Sequence, residues 1–285
     1  MIETIILAVV QGIAEFLPIS SSGHLVILGA LMNQITGTLP SESPTLEIIL
    51  HTGTLGSILV VFWRRILDLL SSDRRVIPLL IVGTLPAAVI GLTIKAQFAW
   101  ILKNPLLAGA MLIVTGCMLI LLGKLSQRDK EYRNLSLLGA FLVGCFQAFA
   151  ILPGISRSGS TILGGRLMGL KTDDAVTFSF LLAIPAIGGA TLLAIKDVVE
   201  QIQLGQPLDE GPLELVAGAL VSFLVGIVAL KWLIGWSRQE KLHWFAAWCI
   251  PAGLLVIALC FAGWFEPNRT ESPVLSGTAS ALDRP

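Results

Sequence analysis

Charge is scarce in this sequence. Lys, Arg, Asp and Glu make up 13% of its 285 residues, against about 25% in a soluble globular domain. Positive and negative residues cancel to a net charge of zero. With no basic tract and no interleaving of aromatic and basic residues, nothing points to nucleic acid as a partner. Cysteine is sparse too. Cys117, Cys145, Cys249 and Cys260 stand singly inside apolar runs, without CxxC spacing. That excludes a disulfide framework and a thiolate metal cluster, and leaves the four as small hydrophobes. No basic stretch precedes the first apolar run, which is broken early by Gln11 and Glu15. A cleaved signal peptide is therefore not expected.

What the chain has in abundance is apolar length. Hydrophobic residues make up 54%, with a mean hydropathy of +0.83, so the sequence reads as an all-α polytopic membrane protein. Six segments are long enough to span a bilayer, near 46–63, 76–95, 105–123, 175–195, 213–234 and 243–264. Two more, 2–33 and 135–168, are interrupted in the middle by Pro, Gly and Ser.

The basic loops decide how to read the interrupted pair. Arg64, Arg65, Arg74 and Arg75, then Lys124, Arg128, Lys130 and Arg133, then Lys231, Arg238 and Lys241 can all be cytoplasmic, as basic loops prefer, only if 135–168 enters and leaves on one side. Both segments are thus expected to be re-entrant helix–loop–helix units, the first entering from the outer face. The acidic loop with Asp197, Glu200, Asp209 and Glu210 then lies outside. Trp63, Trp232, Trp236, Trp244 and Trp264 fall at span ends, as interfacial aromatics do. The resulting order is re-entrant unit plus three spans, repeated with opposite orientation over about 1–124 and 135–265. It forms one membrane domain (1–265), with a polar, flexible tail over 266–285. Such inverted repeats place a binding site where the broken helices meet.

The breaks themselves carry the chemistry. "QGIAEFLPISSSGHL" (11–25) and "QAFAILPGISRSGST" (147–161) share a core, LPISSSG against LPGISRSG, that differs by one Gly insertion and a Ser-to-Arg exchange. Ionisable groups at membrane depth are rare and costly, so Glu15, His24 and Arg157 call for a common purpose. Both Ser clusters precede helix starts, expected after Ser22 and after Ser160, where backbone N–H groups attract anions. Gly23, Gly154 and Gly159 allow close backbone approach, and Arg157 offers a planar fork suited to phosphate. Ser20, Ser22, Ser156, Ser158 and Thr161 complete the candidate phosphate-binding set. Gln11 and Glu15 share one face of the first half-helix. Glu15 reads as a general base or a cation ligand, His24 as acid, base or nucleophile, and Ser21 as hydrogen-bond donor or nucleophile. Glu47 and His51 share a helix face near the end of a span, with cavity lining and a structural role both open. Arg166 is expected to snorkel toward the cytoplasmic face, and His243 to be interfacial.

These two stretches resemble the signature motifs of the undecaprenyl-diphosphate phosphatase (bacitracin-resistance protein) family, (E/Q)xxxEFLPxSSxGH and PGxSRSGxT. The resemblance extends over residues 1 to about 265. It implies a bacterial plasma-membrane enzyme that hydrolyses undecaprenyl diphosphate to the monophosphate and inorganic phosphate, recycling the lipid carrier for peptidoglycan synthesis. It also implies a site opening to the outer face, dependence on Mg²⁺ or Ca²⁺, and importance for Gln11, Glu15, Ser21, Ser22, His24, Ser156 and Arg157; a homodimer is compatible with it. Many members carry Glu where this chain has Gln11, which shifts the weight of any metal site onto Glu15.

Two rival readings fit the sequence less well. The other membrane lipid-phosphatase pattern, KxxxxxxRP…PSGH…SRxxxxxHxxxD, fails because Leu163 stands where its nucleophilic His belongs and no KxxxxxxRP occurs. A polyprenyl-phosphate flippase would use the same phosphate loops, but has no need of an acid–base pair.

Overall fold

The computed structural model describes residues 1–36, 44–203 and 211–265. Asp209, Glu210, most of the 34–45 loop and the tail 266–285 lie outside the described residues. Within them eleven α-helices are joined by short turns, and the one β-bridge, Lys130 with Leu170, builds no sheet.

Five helices are long and apolar enough to cross a membrane: α5 (Val76–Gln97), α6 (Pro105–Lys124), α9 (Thr172–Gln203), α10 (Pro212–Ser237) and α11 (Ala246–Phe261), the last counted with the turn before it. The sixth expected span is not straight. α3 (Pro44–Val61) and α4 (Trp63–Leu70) meet at a 72° bend. The break falls where the apolar run gives way to WRRILDLL, whose exposed Trp63, Arg64 and Arg65 suit a helix lying at an interface rather than crossing it.

The two interrupted segments are each a pair of short helices. α1 (Ile2–Ala14) and α2 (Ser21–Thr36) flank the first break, α7 (Leu137–Phe149) and α8 (Arg157–Leu167) the second. At 1.5 Å per residue α1 and α7 reach about 20 Å, short of a ~30 Å hydrocarbon core. Pro18 and Pro153 stop them by lacking an N–H and by disfavouring helical backbone at the preceding residue. The second helices begin earlier than expected, at Ser21 and Arg157, because Ser20 and Ser156 are the caps. Their Oγ atoms accept the N–H of Gly23 at 3.2 Å and of Gly159 at 3.1 Å.

Helices in lipid gain little from burying apolar surface against one another and associate through small residues that permit close contact. α1 packs on α10 and α7 on α5, while α6 packs on α11 and α3 on α10 and α9. Glycines set these approaches: a Cβ on Gly144 would lie 2.3 Å from the Gly83 carbonyl oxygen, and one on Gly53 2.4 Å from that of Ala219. Beneath the two breaks the buried rings of Phe16, Phe62 and Phe180 form a run with centroids 5.8 Å apart.

Candidate active site

The two breaks touch. A Cβ on Gly23 would lie 2.8 Å from the Cα of Gly154, and one on Gly159 3.3 Å from the Cβ of Pro18. Gly154, at φ +94, also lies against α6, where a Cβ would come within 2.1 Å of the Ala108 carbonyl. Only glycine fits both its backbone and its space. Thr115 of α6 anchors this break, donating to the Gly154 carbonyl at 2.7 Å and accepting from the Ser156 N–H at 3.0 Å. Cys249 of α11 makes the corresponding support for the first break, its thiol 3.7 Å from the Pro18 carbonyl.

Glu15 closes the space between the breaks. Its Oε1 accepts from Arg157 Nη2 at 2.5 Å, and its Oε2 accepts from Ser21 Oγ at 2.7 Å and from Gln11 Nε2 at 3.0 Å. Ser21 and Arg157 occupy equivalent places in the two motifs, first residue of α2 and first residue of α8, so two related helix starts converge on one carboxylate. The carboxylate is buried and the guanidinium is nearly so. Arg157 rests over the Phe180 ring at 5.8 Å, and its Nη1 is buried without a partner. A fork with one arm filled by Glu15 and one unsatisfied is prepared for a second anion.

The remaining predicted residues divide. Ser20, held at φ 71, and Ser22 approach to 3.4 Å, and Ser156 and Ser158 to 3.2 Å. The left-handed backbone at Ser20 is a strained conformation of the kind found at functional sites. Thr161 turns into the protein, bonded to the Arg157 carbonyl at 2.8 Å and to Ser179 at 2.5 Å. His24 is engaged elsewhere: its Nδ1 is 2.8 Å from the Ser20 carbonyl and its Nε2 accepts from the Trp248 indole at 2.9 Å, the rings nearly parallel. A carbonyl only accepts, so His24 is the Nδ1–H tautomer with its second nitrogen capped.

The pair left open, Glu47 and His51, separates. The Glu47 side chain is exposed, whereas His51 Nε2 lies 3.7 Å from Glu15 Oε2. Arg166 is buried rather than snorkelling. Its guanidinium donates to the carbonyls of Leu170, Leu125 and Ser126, the uncapped end of α6 being a better partner than solvent. Thr115, Ser179, Phe180, Cys249 and Trp248 were not singled out from sequence. The only signal for the first two is a lone hydroxyl inside an apolar run.

The site's fit to a divalent cation is limited. Among the described residues no three His, Cys, Asp or Glu side chains converge as ligands. Gln11 turns its amide nitrogen to Glu15, leaving its buried Oε1 without a partner. Glu15 and that orphaned oxygen fit a hard cation whose other ligands are water and phosphate oxygens, the usual Mg²⁺ arrangement.

Comparison with known proteins bears on the same residues. The profile of a family described as bacitracin resistance protein BacA matches residues 4–255, which takes in both breaks. The chain belongs to that family. A protein named undecaprenyl-diphosphatase from Rhodopirellula baltica is 70% identical over 259 residues, covering 91% of this chain and 98% of the relative. Similarly named proteins from Halothermothrix orenii and Methanosphaera stadtmanae are 38% and 36% identical, each over about nine-tenths of this chain and nearly all of their own. The BacA-family chain is thus similar to these relatives over about nine-tenths of its length.

Proposed function

We propose that this protein hydrolyses undecaprenyl diphosphate to undecaprenyl phosphate and inorganic phosphate. The observation that carries the reading is the Glu15 carboxylate, which joins the Ser21 hydroxyl on one helix start to the Arg157 guanidinium on the other. Nucleophile against base, with a cation alongside, is the constellation phosphoryl transfer needs. It also favours hydrolysis over flipping, which needs a phosphate cradle but no base.

The terminal phosphate is received by Arg157 Nη1 and by those first-turn N–H groups of α2 and α8 that Ser20 and Ser156 do not cap. Glu15 Oε2 removes a proton from Ser21 Oγ, or from a water in its place, as that oxygen attacks the terminal phosphorus. Arg157 and the two helix dipoles stabilise the charge on the equatorial oxygens in a site with little water. Lipid monophosphate is the leaving group; where Ser21 attacks, a water then takes the phosphoryl group from Ser21, gives a proton to Glu15, and releases inorganic phosphate with the serine hydroxyl restored. A Mg²⁺ or Ca²⁺ ion, held by Glu15, Gln11 Oε1 and the substrate itself, would supply further neutralisation of the diphosphate. His24 joins only when Trp248 moves from its Nε2.

The membrane placement is part of the same proposal. Two helix pairs too short to span, flanked by spans whose contacts exchange between halves (α1 on α10, α7 on α5), support a pair of re-entrant units in an inverted repeat. The distribution of basic loops supports a site opening toward the outer face of a bacterial plasma membrane, with the prenyl tail remaining in lipid. The test is phosphate release from undecaprenyl or farnesyl diphosphate by the purified chain in detergent with Mg²⁺, wild type beside Arg157→Ala. Turnover in the first and a loss of about 10²-fold or more in the second is expected. A folded wild type that binds the diphosphate without releasing phosphate would overturn hydrolysis and bring the flippase forward.

A further inference from the structure

We propose that Trp248 is a lateral gate opened by the substrate's prenyl tail, and so the residue that makes the site select a lipid diphosphate; this rests on the hydrolytic reading above. The two breaks differ in how they meet their surroundings. In the second, Ser158 and Ser160 are 1% and 0% exposed. At the matching places in the first, Ser22 is exposed and His24 is half-buried. The site therefore opens beside the start of α2, and Trp248 stands at that opening. Its indole donates to His24 Nε2 at 2.9 Å and lies nearly parallel to the imidazole, with ring centroids 6.1 Å apart.

Trp248 sits on the boundary between site and lipid. The next residue, Cys249, is buried against the first break, its thiol 3.7 Å from the Pro18 carbonyl. Trp248 itself is 55% exposed, within the apolar span Leu242–Phe261, so its open face meets lipid. An indole inside hydrocarbon finds no water for its N–H, and His24 Nε2 supplies the acceptor. The imidazole is tied to the break through Nδ1, 2.8 Å from the Ser20 carbonyl, which leaves the indole as the part free to swing. Helix packing does not hold the seam shut either: α2 packs on α1 and α6, and α11 on α6, rather than along each other. One hydrogen bond and one ring contact close it. Before Thr115, the anchor of the second break, stands Val114, which has no polar handle, so the gate exists on one side only.

A polyprenyl diphosphate has its charged end at the breaks and its tail in lipid, so its first isoprene units cross this seam. The indole face offers them a contact of matching chemistry in exchange for the bond to His24. A diphosphate with little or no tail has nothing to exchange and leaves the seam closed. Opening also uncovers His24 Nε2 beside the Ser cluster, and does so only when a tail is in place. Binding energy from the part of the substrate that does not react is thus used to complete the site, which makes truncated substrates lose kcat as well as affinity.

The experiment is phosphate release in detergent with Mg²⁺ from undecaprenyl, farnesyl and isopentenyl diphosphate, by wild type, Trp248→Ala and Trp248→Phe. Wild type is expected to favour undecaprenyl over isopentenyl diphosphate in kcat/KM. In Trp248→Ala that ratio should fall by about 10-fold or more, through a gain for isopentenyl diphosphate, which has no gate left to open, and a loss for undecaprenyl. Trp248→Phe keeps a ring and loses the N–H. It should move the ratio the same way by less, and it decides alone if the alanine variant does not fold. A second readout is the fluorescence that wild type has and Trp248→Phe lacks. It should change on adding a non-hydrolysable farnesyl diphosphonate and stay constant with methylenediphosphonate, which has no tail. An unchanged ratio, an equal loss for all three substrates, or the same fluorescence response to both analogues overturns the gate while leaving hydrolysis in place. A wild type that releases no phosphate from any of the three overturns hydrolysis itself.

Discussion

The two breaks are built to one plan and diverge at a few positions. In each, a Ser caps the following helix, a second Ser stands two residues on, and a Gly lies against the other break. At the first helical residue one carries Ser21 and the other Arg157, and both donate to Glu15. Three residues further on, His24 in the first is matched by Ser160 in the second, whose Oγ is buried without a partner. A duplicated scaffold thus supplies two helix N-termini for an anion, while the divergent positions divide the labour. The first break brings the base and the hydroxyl, the second the cation.

The largest expected effect comes from removing what only one break provides. Arg157→Ala should lower kcat/KM for diphosphate by about 10²–10³-fold, and Arg157→Lys should recover little of it, since a point charge lacks the fork. Moving the charge by making Ser21→Arg with Arg157→Ser tests whether the halves are interchangeable; phosphate release should stay near the Arg157→Ala level.

Glu15→Gln is expected to fall in the same range. Combined with Arg157→Ala it should cost far less than the product of the two, because each change already breaks the same pair. Full additivity in that cycle would show that the breaks act independently.

Smaller effects distinguish how each break is held. Gly154→Ala, which strains a φ of +94 and meets the Ala108 carbonyl at 2.1 Å, should destabilise by about 1–3 kcal/mol, read as a fall in the thermal midpoint in detergent. Gly159→Ala, whose new Cβ would meet only side-chain atoms at 3.3 Å, should shift it much less. Thr115→Val removes a donor and an acceptor from the second break and should cost about 1–3 kcal/mol. Cys249→Ala, losing one weak thiol contact to the first, should cost under about 1 kcal/mol. Equal losses would mean that the two anchors are equivalent after all.

Much of this site is legible in the chain itself. Polar and charged residues inside apolar segments mark Glu15, Ser21 and Arg157 because membrane depth penalises them unless they act together. Proline after a short apolar helix marks both breaks. The helix starts were placed too late, since several Ser in a row each look like a cap and only geometry shows that Ser20 and Ser156 are the ones used. Arg166 misleads for a related reason. An arginine near a span end usually reaches water, and nothing in its neighbourhood announces the open carbonyls of Leu125 and Ser126.

Composition and spacing by themselves determined that the chain is a helical membrane protein with two interrupted segments carrying a phosphate-binding pattern. Hydrocarbon allows few alternatives for an apolar chain with those interruptions. Only the tertiary structure decided that α3 bends into α4, that Glu15 is shared by both breaks, that His24 is closed by Trp248, and that His51, not Glu47, faces the carboxylate. Each depends on the approach of residues far apart in the chain, set by how closely glycine-lined helices pack, and helical periodicity carries no information about that distance.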